Sequence, residues 1–347
     1  MTEPLRELAG RIGNVIFAVL FAAIIFAKSA PQPALAAAAL PDASGAIQAA
    51  QRQFNLGKYA AAILTLRSAV AQNSSSAEAY YWLGRCYYET LDYDNSADQL
   101  EKAVSLDPRN SVYHQWLGRA YGGKADRDRS FSMAKKVKKE FQTAVNLNPS
   151  NVAARRDLEE YLIDAPWIAG GSKDDALEQV NAIAALDPIQ GHLARALYDR
   201  EGMKKLDEAE TELRQVLSAK PKTADPYFEI AEFYQTQNKP SDLMAAIDAA
   251  AQVSPNDSRL TYYRGIAAVL SNTNLPRAEQ DFKSYLASAP DLSDWPPHAA
   301  AREWLGRLYE LQGNRTEAAE QYRAALQLEP KRKEARARLQ KLEKSSQ

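Results

Sequence analysis

The chain has 347 residues, 25% of them charged and 46% hydrophobic, with a formal net charge of −1. That balance fits a folded chain and excludes an overall field that would draw nucleic acid or an anionic membrane. The single cysteine, Cys86, excludes an intramolecular disulfide framework and a cysteine-ligated zinc site.

Residues Ile12 to Ala27 form an uncharged, mostly apolar run that is short for a membrane span. Lys28, Pro31, Pro33 and the small-x-small triplet Ala34-Leu35-Ala36 follow it. This order predicts a secretory signal over residues 1–36, cleaved after Ala36, with a linker over 37–42. Glu3 and Glu7 offset Arg6 and Arg11, so the alternative is an uncleaved anchor through residues 12–27. No cysteine closes the run, so lipid anchoring is not expected. Either reading exports the remainder, to a bacterial periplasm or to the outer side of an inner membrane.

From residue 43 to 332 the chain repeats itself. Pro108, Pro149, Pro188, Pro221, Pro255, Pro290 and Pro330 stand 41, 39, 33, 34, 35 and 40 residues apart. Trp82-Leu83-Gly84-Arg85 returns as Trp116-Leu117-Gly118-Arg119 and again as Trp304-Leu305-Gly306-Arg307. A period near 34 residues predicts stacked modules, each touching its neighbours. Within one unit, 77–110, two apolar-periodic segments flank a turn at Leu91-Asp92, and Asp107-Pro108 ends the second. Gly84, Gly118, Gly265 and Gly306, with Ala50 and Ala231, put a small residue at one point of the first helix. Ala69, Ala103, Ala144, Ala250 and Ala325 answer it in the second, as close helix approach requires.

Trp-Leu-Gly-x-x-Tyr, alanine late in the second helix and a closing Asp-Pro together resemble the tetratricopeptide repeat (TPR) family. The resemblance implies an all-α, right-handed α-solenoid of stacked antiparallel helix pairs, with first helices lining a concave groove. Eight repeats are expected, at 43–76, 77–110, 111–151, 152–190, 191–223, 224–257, 258–292 and 299–332. A polar capping helix and basic tail over 333–347 would close the array. The segment from Trp116 to Gly122, the run Ala165-Pro166-Trp167-Ile168-Ala169-Gly170-Gly171 and Gly191-His192-Leu193-Ala194 also resemble a stretch of exported bacterial TPR proteins. That likeness carries no assigned activity.

Register then names groove-facing residues. Tyr81 with Arg85, Gln115 with Arg119, and Tyr88 one turn beyond Arg85 would suit a carboxylate or acidic peptide. The alternative is that these arginines are solvated or paired with neighbouring acids. Arg156 with Glu160, Arg195 with Asp199, Phe228 with Glu232 and Glu303 with Arg307 continue the face, turning it acidic in the middle. Ile47 and Gln51 stand where a chaperone-tail clamp needs lysine and asparagine, so that ligand is not expected.

Insertions at 122–128 and 164–171 fall between the helices of a repeat, where Trp167 is a possible edge anchor for a partner; the alternative is that it folds back to cover the solenoid edge. A third, 293–298, falls between repeats and reads as a rigid spacer on the opposite edge. His114, His192 and His298 lack paired spacing, so no metal site and no cofactor is expected. Gly170-Gly171-Ser172-Lys173 lacks the order of a phosphate loop; Ser172 with Asp175 reads as a helix cap. Cys86 reads as a buried inert thiol. The run Lys135 to Lys139 and the tail from Lys331 to Lys344 read as solvated basic faces, with contact to anionic lipid or an acidic partner as the alternative.

The function expected is a non-catalytic, envelope-exposed scaffold binding protein or peptide partners in the groove, with no nucleic acid. Two alternatives are a membrane-anchored structural component of an envelope complex and a small-molecule or glycan-binding enzyme subunit.

Overall fold

Short polar side chains at the module boundaries start the helices. Ser76, Asp92, Asn110, Ser130, Asn151, Ser172 and Asp187 each accept the backbone N–H of a residue two or three positions on. Each such cap stabilises its helix by about 1 kcal/mol. The computed structural model describes residues 43–290 and 292–344. The expected signal or anchor at 1–36 and the linker at 37–42 lie outside the described residues.

Among the described residues there are seventeen α-helices and no strand. The first four pairs are α1 (Ala43–Asn55) with α2 (Tyr59–Gln72), α3 (Ala77–Glu89) with α4 (Tyr93–Leu106), α5 (Ser111–Asp128) with α6 (Phe131–Leu147), and α7 (Val152–Asp164) with α8 (Lys173–Leu186). The next four are α9 (Pro188–Leu197) with α10 (Leu206–Ala219), α11 (Asp225–Thr236) with α12 (Pro240–Val253), α13 (Arg259–Ser271) with α14 (Leu275–Ser288), and α15 (His298–Leu311) with α16 (Arg315–Leu328). α17 (Lys333–Lys344) packs on α16 and covers the end of the array. This is the expected α-solenoid of eight helix pairs with a terminal cap.

Every helix packs on its neighbour in sequence, and the first helices also touch one another in an unbroken series from α1 to α15. That series makes one continuous face. The small residues allow the close pairing: a methyl group built on Gly118 would lie 2.5 Å from the Phe141 ring, and one on Gly306 would lie 2.6 Å from Tyr322. The apolar interior runs along the whole array, from Leu66 and Leu83 through Leu100 and Leu158 to Ile247, Phe282 and Tyr322. Cys86 is fully buried in it, and burial pushes its thiol up to about 12, so it is inert at neutral pH.

Two features depart from the expected layout. The fifth pair starts at Pro188, capped by Asp187, and α9 ends in a wide π turn over Tyr198–Gly202. The segment after Pro290 is not a spacer. It folds as a turn in which Trp295 N–H donates to the Leu292 carbonyl at 3.0 Å, and it contacts the first three repeats through Leu292, Ser293 and Asp294. The reason is apolar: Leu292 packs against the N-terminal core cluster, which contains Ile47, Phe54 and Leu83.

Candidate functional site

The inner face is built by α5, α7, α9, α11 and α13 and encloses a cavity of about 740 Å³. Along α7 it presents Ala153, Arg156, Asp157 and Glu160; along α11 it presents Asp225, Phe228, Glu229 and Glu232. Along α9 it presents Gln190, Leu193 and Leu197, and from the π turn that follows Arg200, rather than Arg195 and Asp199. The earlier start of that helix shifts its register, so Arg195 instead pairs with its own Asp199 at 2.8 Å.

Arg119 and Gln115 converge on one carboxylate. Arg119 donates from Nε and Nη2 to Asp157 at 2.8 and 2.9 Å, and Gln115 donates to the same group at 2.8 Å. Asn151 in turn donates to Gln115 at 3.4 Å. Burial would pull the Arg119 guanidinium down, but Asp157 and Asp294 outweigh it and hold it above its ordinary range. Arg85 has a different environment. Its guanidinium lies 4.0 Å from the Trp116 ring centre, 4.7 Å from Phe54, 5.0 Å from Trp82 and 5.9 Å from Tyr81. Its Nε is buried without a hydrogen-bond partner. Tyr81 is stacked on Tyr113 at 5.0 Å, and burial raises its hydroxyl. Tyr88 stands edge-on to Tyr93 and Trp116, and burial likewise raises its hydroxyl.

The structure thus gathers Gln115 and Arg119 around Asp157 and gathers Tyr81, Arg85 and Tyr88 into an aromatic cluster beside them. Trp167 is apart from both, 84% exposed at the edge. Spacing within one helix named these residues, but the partner acid lies 38 residues from Arg119, on the next repeat.

Four guanidiniums line the cavity (Arg119, Arg156, Arg200, Arg259) against six carboxylates (Asp157, Glu160, Asp225, Glu229, Glu232, Asp294). Arg156 pairs with Glu229 at 3.0 Å, and Arg259 pairs with Asp225 at 2.8 Å and Asp257 at 2.7 Å. Glu160 and Glu232 are held above the usual carboxylate range by burial first, with neighbouring acids adding to it. The inner face therefore carries surplus acid, and its guanidiniums already have their counterions.

The Leu292–Trp295 turn closes one side of this cavity. Ser293 N–H donates to Glu89 at 2.7 Å, Asp294 approaches Arg119 at 3.6 Å, and Arg259 lies between the rings of Trp295 (4.6 Å) and Phe228 (4.1 Å). A second recess of about 760 Å³ opens on the other side of Arg119, between Tyr88, Phe131, Phe141 and Pro166. Among the described residues no group of His, Cys, Asp and Glu is placed to hold a metal ion, and no helix is long and apolar enough to cross a membrane.

Comparison with known proteins agrees with this architecture at the level of the repeat: the profile of the tetratricopeptide repeat matches residues 47–111 and 270–335. A TPR protein of Thermus thermophilus superposes with a TM-score of 0.44 at 17% identity, over 65% of this chain and 98% of its own. A tetratricopeptide repeat protein of Parabacteroides merdae gives 0.47 at 15% identity, over 77% and 98%. No curated protein matches the sequence.

Proposed function

We propose that this chain, which belongs to the tetratricopeptide repeat family, is a non-catalytic scaffold whose inner face holds a polypeptide segment of a partner protein. One observation carries the reading. The inner face already binds a piece of polypeptide, the chain's own Leu292–Trp295 turn, through a backbone N–H, a carboxylate and an aromatic ring. Such contacts read main chain and side chains together, as a peptide groove does. The surplus of Glu160 and Glu232 favours a segment carrying lysine or arginine. The Ile12–Ala27 run and Ala34-Leu35-Ala36 support an exported protein acting in the cell envelope, cleaved after Ala36 or held by that run. The mass of the mature protein distinguishes cleaved from retained.

The test is site-specific photo-crosslinking in the cell. A photoreactive residue at 160 or 232 should give a discrete adduct with a partner protein, and one at Lys102, on the outer helix α4, should not. Equal adducts from both faces, or none from the inner face, would remove the groove reading. The cavity is also of a size that suits a small ligand. A thermal shift with envelope glycans, and no crosslinked protein, would then favour a glycan-binding subunit.

A further inference from the structure

The edge formed by α6 and the loop after α7 exposes apolar side chains that the fold does not require there. Trp167 is 84% exposed, Ile168 51% and Phe131 59%, whereas Ala169 between them and the core is buried. The loop is not slack. Ala169 and Gly171 donate to the Pro166 carbonyl at 2.8 and 3.2 Å, and Gly170 N–H donates to Trp167 at 3.0 Å. Tyr161 Oη donates to the Ala169 carbonyl at 2.7 Å and Lys138 Nζ to that of Gly170 at 2.8 Å. Gly170 sits at φ +98°, a conformation that favours glycine. The turn is thus built to hold Trp167 and Ile168 outward.

Beside them runs a basic helix face. Phe131, Lys135, Lys138 and Lys139 recur at i, i+4, i+7 and i+8 along α6, and the three lysines share a recess of about 390 Å³ with Trp167 and Ile168. Lys138 is partly neutralised by Asp175 at 3.4 Å. Lys135 and Lys139 pair with no carboxylate among the described residues.

We propose that this edge docks onto an anionic phospholipid surface. The lysines would meet lipid phosphates, while Trp167 and Ile168 enter the headgroup layer. A protein partner is the poorer fit. A lone protruding tryptophan needs a complementary pocket in a folded partner, and a stable protein interface buries about 800 Å² per side. A fluid headgroup layer needs neither. The local charge also decides where the chain approaches, because the molecule as a whole has almost none.

The edge can be read directly in the full chain. Ile168→Cys accepts an environment-sensitive fluorophore, since Cys86 is fully buried. With vesicles of phosphatidylcholine containing phosphatidylglycerol the probe should shift to the blue; with phosphatidylcholine alone it should not. Adding Lys135→Glu and Lys139→Glu should weaken the response about tenfold or more, and added salt should weaken it too. A probe at Leu64→Cys, on the outer helix α2, should stay unshifted even when other parts of the chain bind the vesicle. The proposal is overturned if the 168 probe stays unshifted, if its shift survives both charge reversals, or if it shifts only when a partner protein is added without lipid.

Discussion

Glu159 is the residue most at odds with its surroundings. It stands where other repeats carry glycine, its side chain is fully buried, and neither carboxyl oxygen has a hydrogen-bond partner. Burial pushes its pKa up to about 8, with Arg156 at 3.9 Å opposing this and Glu160 and Glu229 adding to it. Between the ordinary value of 4.5 and about 8, the folded chain holds a proton that the unfolded chain has released. Stability from this group therefore falls as pH rises through that window and levels off above it. Glu159→Gln keeps the shape of the neutral acid and cannot ionise. We expect it to exceed the native protein by ~2–4 kcal/mol in urea unfolding at pH about 8, with the gap closing towards pH about 5. A gap independent of pH would mean that the carboxyl is charged throughout. His114 works in the same direction. Both ring nitrogens face acceptors, Glu140 at 2.6 Å and the Pro108 carbonyl at 3.1 Å, so the ring is held as the cation and its pKa is raised by the Glu140 bond. Its contribution is present below the ordinary 6.5 and is lost as pH rises through the folded value, so His114→Gln should flatten the remaining slope near neutrality.

At the scale of helices, the small residues of the repeat divide into those under contact and those that are free. α5 carries both kinds. A methyl on Gly118 would lie 2.5 Å from two ring carbons of Phe141, a buried ring that also packs edge-on to Tyr161 at 6.4 Å. A methyl on Gly122, one turn further, would meet nothing within 4 Å. The same substitution should therefore change sign within one helix. Gly118→Ala should lose about 1–2 kcal/mol, overpacking outweighing the better helix propensity, and Phe141→Leu should recover part of the loss. Gly122→Ala should gain roughly 0.5–1 kcal/mol from propensity alone. Thermal unfolding of the three variants decides it; equal shifts for Gly118 and Gly122 would mean that the pairing adjusts freely. This pattern was legible in the sequence because the pairing geometry recurs in every repeat, and recurrence carries the spacing of Gly84, Gly118, Gly265 and Gly306. The fifth repeat was less legible, since α9 starts at Pro188, ahead of the expected boundary, and its shifted register takes Arg195 and Asp199 off the lining face. The inner-face chemistry was half legible: register placed Gln115 and Arg119, but their acid, Asp157, belongs to another repeat and enters no local pattern.

At the scale of the whole array, a solenoid of nearest-neighbour contacts should fray from its ends, because no repeat feels a distant one. The Leu292–Trp295 turn breaks that rule by joining residues 204 apart in sequence, Ser293 to Glu89. Pro290 rests against Gly57 at the α1–α2 turn, and Leu292 completes the core of the first two repeats. An N-terminal pair at the end of a stack buries less than an internal one. Here part of the deficit is made up by the segment between the seventh and eighth pairs, so unfolding α1 to α3 must also strip the turn from its seat. Glu89→Ala with Leu292→Ser removes that coupling while leaving every helix pair intact. We expect amides of α1 to α3 to exchange faster by about tenfold, the equivalent of roughly 1.4 kcal/mol, while α11 to α14 keep their protection. The urea transition should broaden as the N-terminal repeats melt ahead of the rest. If exchange in α1 to α3 were unchanged, the turn would be only a passenger on the inner face, and the N-terminal pairs and that segment would be energetically independent.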